Sequence, residues 1–297
     1  MADAPVRYRS PDDDSGRWLG FPFRQGDIVI STRSKSGTTW MQMICALLVF
    51  QSPELPAPLG ELSPWLDWLV CPREDVWARL EAQQHRRFIK THTPLDGVPL
   101  RSDVTYIVVA RHPLDVAVSL YHQGDNFDRD RLRQLIGESD NGALPPVRPP
   151  VYEWLLSWIE GDDDPREHLD SLPGVMWHLS DAWERRLAPN VVLVHYDDLL
   201  ADLGGEMRRL AARLGIAVAE ETWPELVEAA TFDRMRSRAD QLAPDRPAVL
   251  EDRSRFFRRG SSGAGRELLS AEDVARYRAR TSALAPPDLL QWLQRGD

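Results

Sequence analysis

Lysine is nearly missing from this chain. Lys+Arg number 36, yet lysine stands only at positions 35 and 90. The bias toward arginine reads as coding composition, but it sharpens the search for function. Arginine replaces lysine on a solvated surface, and does not replace it where a compact point charge must touch a reacting oxygen. Both remaining lysines lie inside motifs. Cysteine is as scarce: Cys45 and Cys71 have no metal-ligand spacing and form no disulfide framework, so both are expected to be reduced thiols. An excess of positive charge is lacking too. The formal charge is −10, which argues against a nucleic-acid or anionic-membrane partner, since both demand a net basic face. Any phosphate site must therefore be a local basic pocket in an acidic body. The stretch MADAPVRYRSPDDDSGRW has no apolar core of signal-peptide type, and no run reaches membrane-span length. A cytoplasmic protein without transmembrane segment is the expectation.

What is present is concentrated in Asp27 to Phe50, DIVISTRSKSGTTWMQMICALLVF. A short β-branched apolar run is followed by a polar turn with one glycine, then by a segment too long and too poor in β-branching to be another strand. It reads as strand, anion loop, helix. A loop feeding a helix start offers unpaired N–H groups and the positive end of the helix dipole. Ser36, Gly37, Thr38 and Thr39 would cradle an anion there, with Lys35 as a mobile cation. The run is not a nucleoside-triphosphate loop, which places its lysine directly after a second glycine. Here the lysine precedes the only glycine.

Three further runs read as strands: Arg87 to His92, Val104 to Ala110 and Asn190 to His195. Each ends in polar residues, Lys90 and His92, Arg111, and Tyr196. Ligands of open parallel sheets bind beyond the carboxyl ends of the strands, so these positions favour chemistry. A nucleoside-triphosphate hydrolase would end its next strand in a magnesium-binding Asp; the arginine found here favours a second phosphate over a metal. Its bland alternative is a salt bridge to Asp115. Strand and helix alternation gives one α/β domain over 1–297, doubly wound, with a central parallel sheet and helices on both faces. Residues 1–17 are expected to fray, and the charged, glycine- and proline-rich stretch 124–150 to form a mobile lid. Trp18, Leu19, Phe21 and Phe23 read as core packing. Trp65 and Trp68 read equally well as a lid over the core or as an acceptor wall.

Five blocks carry a family resemblance. Lys35-Ser36-Gly37-Thr38-Thr39-Trp40 resembles the P-loop-like 5'-phosphosulfate loop of the cytosolic sulfotransferases that use PAPS (3'-phosphoadenosine 5'-phosphosulfate). Lys90-Thr91-His92 with Pro94-Leu95 is similar to that family's K-T-H-x-P-L block, and the run Ala110 to Ser119 to its 3'-phosphate block. Ala230-Thr231-Phe232-Asp233-Arg234-Met235 resembles T-S-F-x-x-M, and Phe256-Phe257-Arg258-Arg259-Gly260-Ser261-Ser262-Gly263 resembles F-x-R-K-G-x-x-G. Two departures stand out: Arg259 replaces a lysine, and Ala264-Gly265-Arg266 replaces D-W-K. The resemblance implies in-line sulfuryl transfer from PAPS as co-substrate, without metal, to a hydroxyl of a small-molecule or glycolipid acceptor, releasing adenosine 3',5'-bisphosphate. It makes His92 the base and gives Lys35 and Lys90 the developing charge. Trp40 and Phe232 would sandwich adenine, with Tyr196, Thr231 and Phe257 close to the nucleotide. Arg111, Ser119, Arg258, Arg259 and Gly260 would hold the 3'-phosphate. The family's dimer motif, K-x-x-x-T-V-x-x-x-E, is matched poorly by Arg266 to Ala275, which leaves a homodimer open. A magnesium-dependent nucleotide kinase and a non-enzymatic nucleotide-binding module are the rival readings.

Overall fold

The computed structural model describes residues 4–137, 148–244 and 248–295. In chain order the first half holds β1 (Ile28–Ser31), α1 (Thr38–Phe50), α2 (Leu59–Leu62), α3 (Arg73–Ala82), β2 (Phe88–Thr91), β3 (Thr105–Ala110) and α4 (Pro113–Gly124). Then come α5 (Arg129–Ile136), α6 (Val151–Glu160), α7 (Leu172–Glu184), β4 (Val191–His195), α8 (Tyr196–Ala201) and α9 (Leu203–Leu214). The last part is helical: α10 (Trp223–Ala229), α11 (Phe232–Ser237), α12 (Ala239–Leu242), α13 (Ala271–Leu284) and α14 (Pro287–Leu293). Among the described residues no helix is long and apolar enough to cross a membrane.

The four strands are parallel, in the order β2-β1-β3-β4. They are short and apolar because both faces are covered, and their alternation sorts two cores. Val29, Ile89, Tyr106, Val108 and Val191 face one core, which α4, α6, α7, α13 and α14 close. Ile28, Ile30, Phe88, Ile107, Val109, Val192 and Val194 face the other, closed by α1, α9 and α10. From β1 the chain goes outward to β2 and then returns to place β3 on the opposite side of β1. The crevice beyond β1 and β3 is thus the switch point of the sheet.

Two expectations need correction. Residues 4–17 are tied down rather than frayed. Tyr8 is 2% exposed; its hydroxyl faces the Asp96 carboxylate at 2.8 and 2.9 Å and accepts from Trp177 Nε1 at 2.8 Å. Backbone bonds from Asp14 N to Asp67 O and Leu69 N to Asp12 O hold the segment against 67–69. The partners lie dozens of residues away, beyond the reach of any local reading. The stretch expected as a lid loop carries helix α5, capped by Asp128 and ended by Gly137, and Asp128 N and Glu251 N tie its start to the 249–251 strand-like segment. Its residues 138–147 lie outside the described residues. Trp18, Phe21 and Phe23 are mutual ring contacts of the first core, as expected, whereas Leu19 is 53% exposed and joins no core.

At the foot of the sheet Arg87 and Asp27 form a two-pronged pair with side chains 1% and 2% exposed. Breaking such a pair leaves an uncompensated charge in a desolvated site. We expect Arg87→Ala to lower unfolding free energy by about 3–5 kcal/mol in urea denaturation; a loss below about 1 kcal/mol would mean that water reaches Asp27.

Candidate active site

Parallel pairing sends the carboxyl ends of all four strands the same way, so the loops after them meet. β1 delivers the loop with Lys35, β2 Lys90 and His92, β3 Arg111, and β4 Tyr196. All five line one cavity of about 450 Å³.

The β1 loop bends sharply before it enters α1. Lys35 and Gly37 take left-handed φ of 64° and 101°, and a side chain at Gly37 would press on the Tyr196 ring, 3.0 Å from its Cβ. Met41 N–H closes the first turn of α1 onto Gly37 O at 3.0 Å. The amides of Thr38, Thr39 and Trp40 come before that bond and are the free donors of the helix start. Ser36 is an exception: its amide is spent on Arg33 O at 3.2 Å. Thr38 Oγ1 pairs with Thr32 Oγ1 at 2.5 Å, and Thr39 lines the cavity. Lys35 Nζ donates to Gln123 Oε1 at 2.7 Å and lies 4.1 Å from the Phe256 ring centre. Desolvation, then repulsion from Arg111, Lys90 and Arg258, brings its pKa down to about 7.

Lys90 ends β2 with its ammonium 3.7 Å over the Trp65 ring, and desolvation lowers its pKa to about 8. His92 follows two residues on. Its Nδ1 hydrogen-bonds the Thr32 carbonyl, which can only accept, so the proton sits on Nδ1 and the Nε2 lone pair is left open. Burial, reinforced by Lys90 and Arg33, pushes the ring's pKa well below its ordinary value. A neutral imidazole with a defined basic nitrogen results. Arg33, 4% exposed, donates to His92 O and to Asp170.

Arg111 ties two loops together: it donates to Lys35 O at 3.1 Å and to Ser261 O at 3.0 Å. Its guanidinium carbon lies 4.4 Å from the Tyr196 ring centre, and its buried Nε has no acceptor among the described residues. Asp115 is not its partner. That carboxylate accepts from Gly263 N and Gly265 N, both at 2.9 Å, and so shapes the 260–265 turn. Ser119 lines the same wall, as do Trp40, Phe232, Phe257, Arg258, Arg259 and Gly260. Trp40 meets Tyr196 edge-on at 5.2 Å, and Phe232 meets Phe257 at 6.3 Å. Arg259 is exposed and forks onto Glu267 at 2.9 and 3.0 Å.

Of the expected site residues, Ser36 and Thr231 do not line the cavity. Ser36 lies buried beneath the loop, and Thr231 Oγ1 is turned to Glu228 O at 2.8 Å at the start of α11. Three contributors escaped the sequence reading. Gln123 sits one turn beyond Ser119 on α4, so the i, i+4 spacing could have shown it. Arg33 precedes Lys35 in the motif but reads as a surface charge. His178 lies on α7, where its Nε2 pairs with Ser31 Oγ at 2.9 Å while that hydroxyl donates to Thr93 O. Nothing in helix periodicity marks it. Among the described residues no group of three or more His, Cys, Asp or Glu could hold a metal ion.

Residues 25–286 match the family described as Sulfotransferase domain. The chain is 44% identical over 315 residues to a protein of Mycobacterium bovis (strain BCG / Pasteur 1173P2) named glycolipid sulfotransferase, covering all of this chain and 96% of that one. It is 26% identical to sulfotransferase 1A1 of Rattus norvegicus, over 85% of this chain and 82% of the relative. In three dimensions it resembles a mouse sulfotransferase solved with PAP, at TM-score 0.68 and 21% identity, covering 94% of this chain and 91% of that one. A retinol dehydratase solved with retinol and PAP gives 0.69 at 21% identity, over 93% and 84% of the two chains.

The tightest fit in the site is Gly260. It holds φ at 66°, and a Cβ there would fall 2.3 Å from the Phe232 ring. Gly263, at φ 95°, has 3.7 Å to its nearest neighbour. Gly263→Ala should therefore lose only the conformational term, about 1 kcal/mol, whereas Gly260→Ala adds a steric one and should lose about 2–4 kcal/mol. Denaturation of the two variants side by side checks this; equal losses would mean that Phe232 yields freely.

Proposed function

Because the chain belongs to the sulfotransferase family, we propose that it moves the sulfuryl group of PAPS to a hydroxyl of a small-molecule or lipid acceptor by in-line transfer, with His92 as general base. The observation that carries this reading is the meeting, in one cavity, of a free helix start, both lysines of the chain, Arg111 and a histidine whose Nδ1 is committed to a carbonyl. The name of the 44% identical relative supports a glycolipid acceptor.

The residues present fit such a donor. The amides at the start of α1, with Lys35, Ser36, Gly37, Thr38 and Thr39 forming the loop, would hold the 5'-phosphosulfate. The unpaired buried N–H of Arg111 is a donor awaiting an anion, and with Ser119, Arg258, Arg259 and Gly260 it would hold the 3'-phosphate. Trp40 and Phe232 would flank adenine, beside Tyr196 and Phe257, while Thr231 acts by starting the helix that carries Phe232. PAPS supplies an activated sulfuryl group on a phosphate leaving group. As the acceptor oxygen bonds sulfur, the sulfur–oxygen bond to the 5'-phosphate breaks and its electron pair stays on the phosphate oxygen. Lys35 and Lys90 offset that charge, and the hydroxyl proton passes to Nε2 of His92.

Two measurements test this. His92→Ala should abolish turnover while leaving affinity for adenosine 3',5'-bisphosphate within a few-fold; a fully active variant would remove His92 from the base role. In calorimetry without magnesium the bisphosphate should bind at micromolar strength or better and ATP should not. Lys35, near 7 in the free cavity, must recharge against a bound anion, so at pH 8.5 binding should take up about one proton. The buffer dependence of the heat reads this directly; ATP binding that requires magnesium would favour a kinase instead.

A further inference from the structure

The cavity is electrically two-sided. Lys35, Arg111, Arg258 and Arg259 line one part of it, and Asp12, Asp13 and Asp67 line another, with Lys90 sensed by both groups. An anionic donor accounts for the first part and leaves the second unexplained. We propose that this second part is a subsite for a polyhydroxylated, sugar-like head group of the acceptor, with Asp13 as the residue that reads its hydroxyls and the Trp65–Trp68 pair as the wall it lies against. The inference rests on the sulfotransferase reading above and deepens it.

Three observations carry it. The wall is built by the backbone: Lys90 N donates to Pro64 O at 3.0 Å and Leu66 N to Lys90 O at 3.2 Å, which lays Trp65 along the free edge of β2. The chain then pairs Trp68 with Asp13 in an antiparallel bridge. Asp13 is thereby held beside the reacting groups by main-chain bonds, on the segment expected from sequence to fray. Second, Trp65 and Trp68 stack at 4.7 Å with 13° between their planes, and both line the cavity. Trp65 lies between Trp68 and the Lys90 ammonium, so the outer face of Trp68 is the apolar surface left for the C–H face of a sugar ring, while His92 stands edge-on to Trp65 at 4.6 Å. A ring on that wall keeps its hydroxyls close to the base.

Third, the Asp13 carboxyl lacks what it needs. Its Oδ1 is sealed from solvent and has no hydrogen-bond donor among the described residues. The neighbouring Asp67 shares this defect at its own Oδ1, but its Oδ2 accepts from Thr91 and Thr93 and so serves the strand end. A buried acceptor without a donor is unfavourable, and a ligand hydroxyl removes that loss. Burial, with Asp12 and Asp67 beside it, pushes the Asp13 carboxyl well above the usual carboxylate range, although Arg33 and Lys90 oppose this; a hydroxyl, which accepts as well as donates, suits such a carboxyl better than an ammonium, which only donates. Simple alcohols and phenols, with no second hydroxyl to give, leave Asp13 as it is.

The test compares acceptors that share one tail: 1-octanol, octylamine, and the octyl β-D-glycosides of glucose, galactose and mannose, with PAPS as donor. The wild-type protein should use at least one glycoside with kcat/KM about tenfold or more above octanol and octylamine. Asp13→Asn, which keeps the shape, should shrink the glycoside-to-octanol ratio about 10- to 100-fold, chiefly through the glycoside KM. Its affinity for adenosine 3',5'-bisphosphate should remain within twofold. Wild-type preference for octanol or octylamine over every glycoside would overturn the proposal, as would an Asp13→Asn loss that falls equally on all acceptors. Should Asp13→Asn not fold, the wild-type ranking and Trp68→Ala, expected to lose the glycosides selectively, decide it. Failure of the wild type to bind the bisphosphate would instead bring down the sulfotransferase reading itself.

Discussion

Like charges confined in a desolvated space govern this molecule. Burial first, and then repulsion from Arg111, Lys90 and Arg258, brings Lys35 down to about 7. An acidic body of net charge −10 does not relieve this locally, because nearby carboxylates such as Asp115 are occupied with backbone amides. The surrounding fold thus holds these cations in an electrostatic state that an anion would relieve. Burial, with Lys90 and Arg33 beside it, lowers the His92 pKa well below its ordinary value, so one desolvated arrangement gathers the cations and keeps the imidazole neutral.

The scaffold makes that arrangement affordable in conformational terms. Four short strands buried on both faces fix the positions from which the loops depart, and pairing across the switch point sets Lys35, His92 and Arg111 on neighbouring strand ends. Hydrogen bonds among the loops then do the fine placement: Arg111 to Lys35 O and Ser261 O, and Arg33 to His92 O.

Much of this was legible in the sequence where function and local pattern coincide. The apolar run Val104 to Ala110 ending in arginine, the glycine loop before α1, and the K-T-H block all announce themselves within a few residues, and the structure gathers them in one cavity. What stayed hidden depends on distant partners. Tyr8 looks like a lone aromatic in a polar leader until Asp96 and Trp177 are placed around it. His178 is one more helix residue until Ser31 meets it. Thr231 sat inside a recognisable block and still turned away, because a residue at a helix start can bond its preceding turn instead of a ligand.

The bond from the His92 ring to the Thr32 carbonyl has an evolutionary consequence. A main-chain acceptor persists whatever side chain occupies position 32, so the tautomer of the His92 ring is insulated from substitution there. Another part of the cavity lining, by contrast, comes from segments outside the sheet, near residues 8–13, 65–68 and 166–170. The orientation of the His92 ring and the make-up of the surrounding wall are in this way set by different parts of the chain, the first by main-chain geometry and the second by side chains.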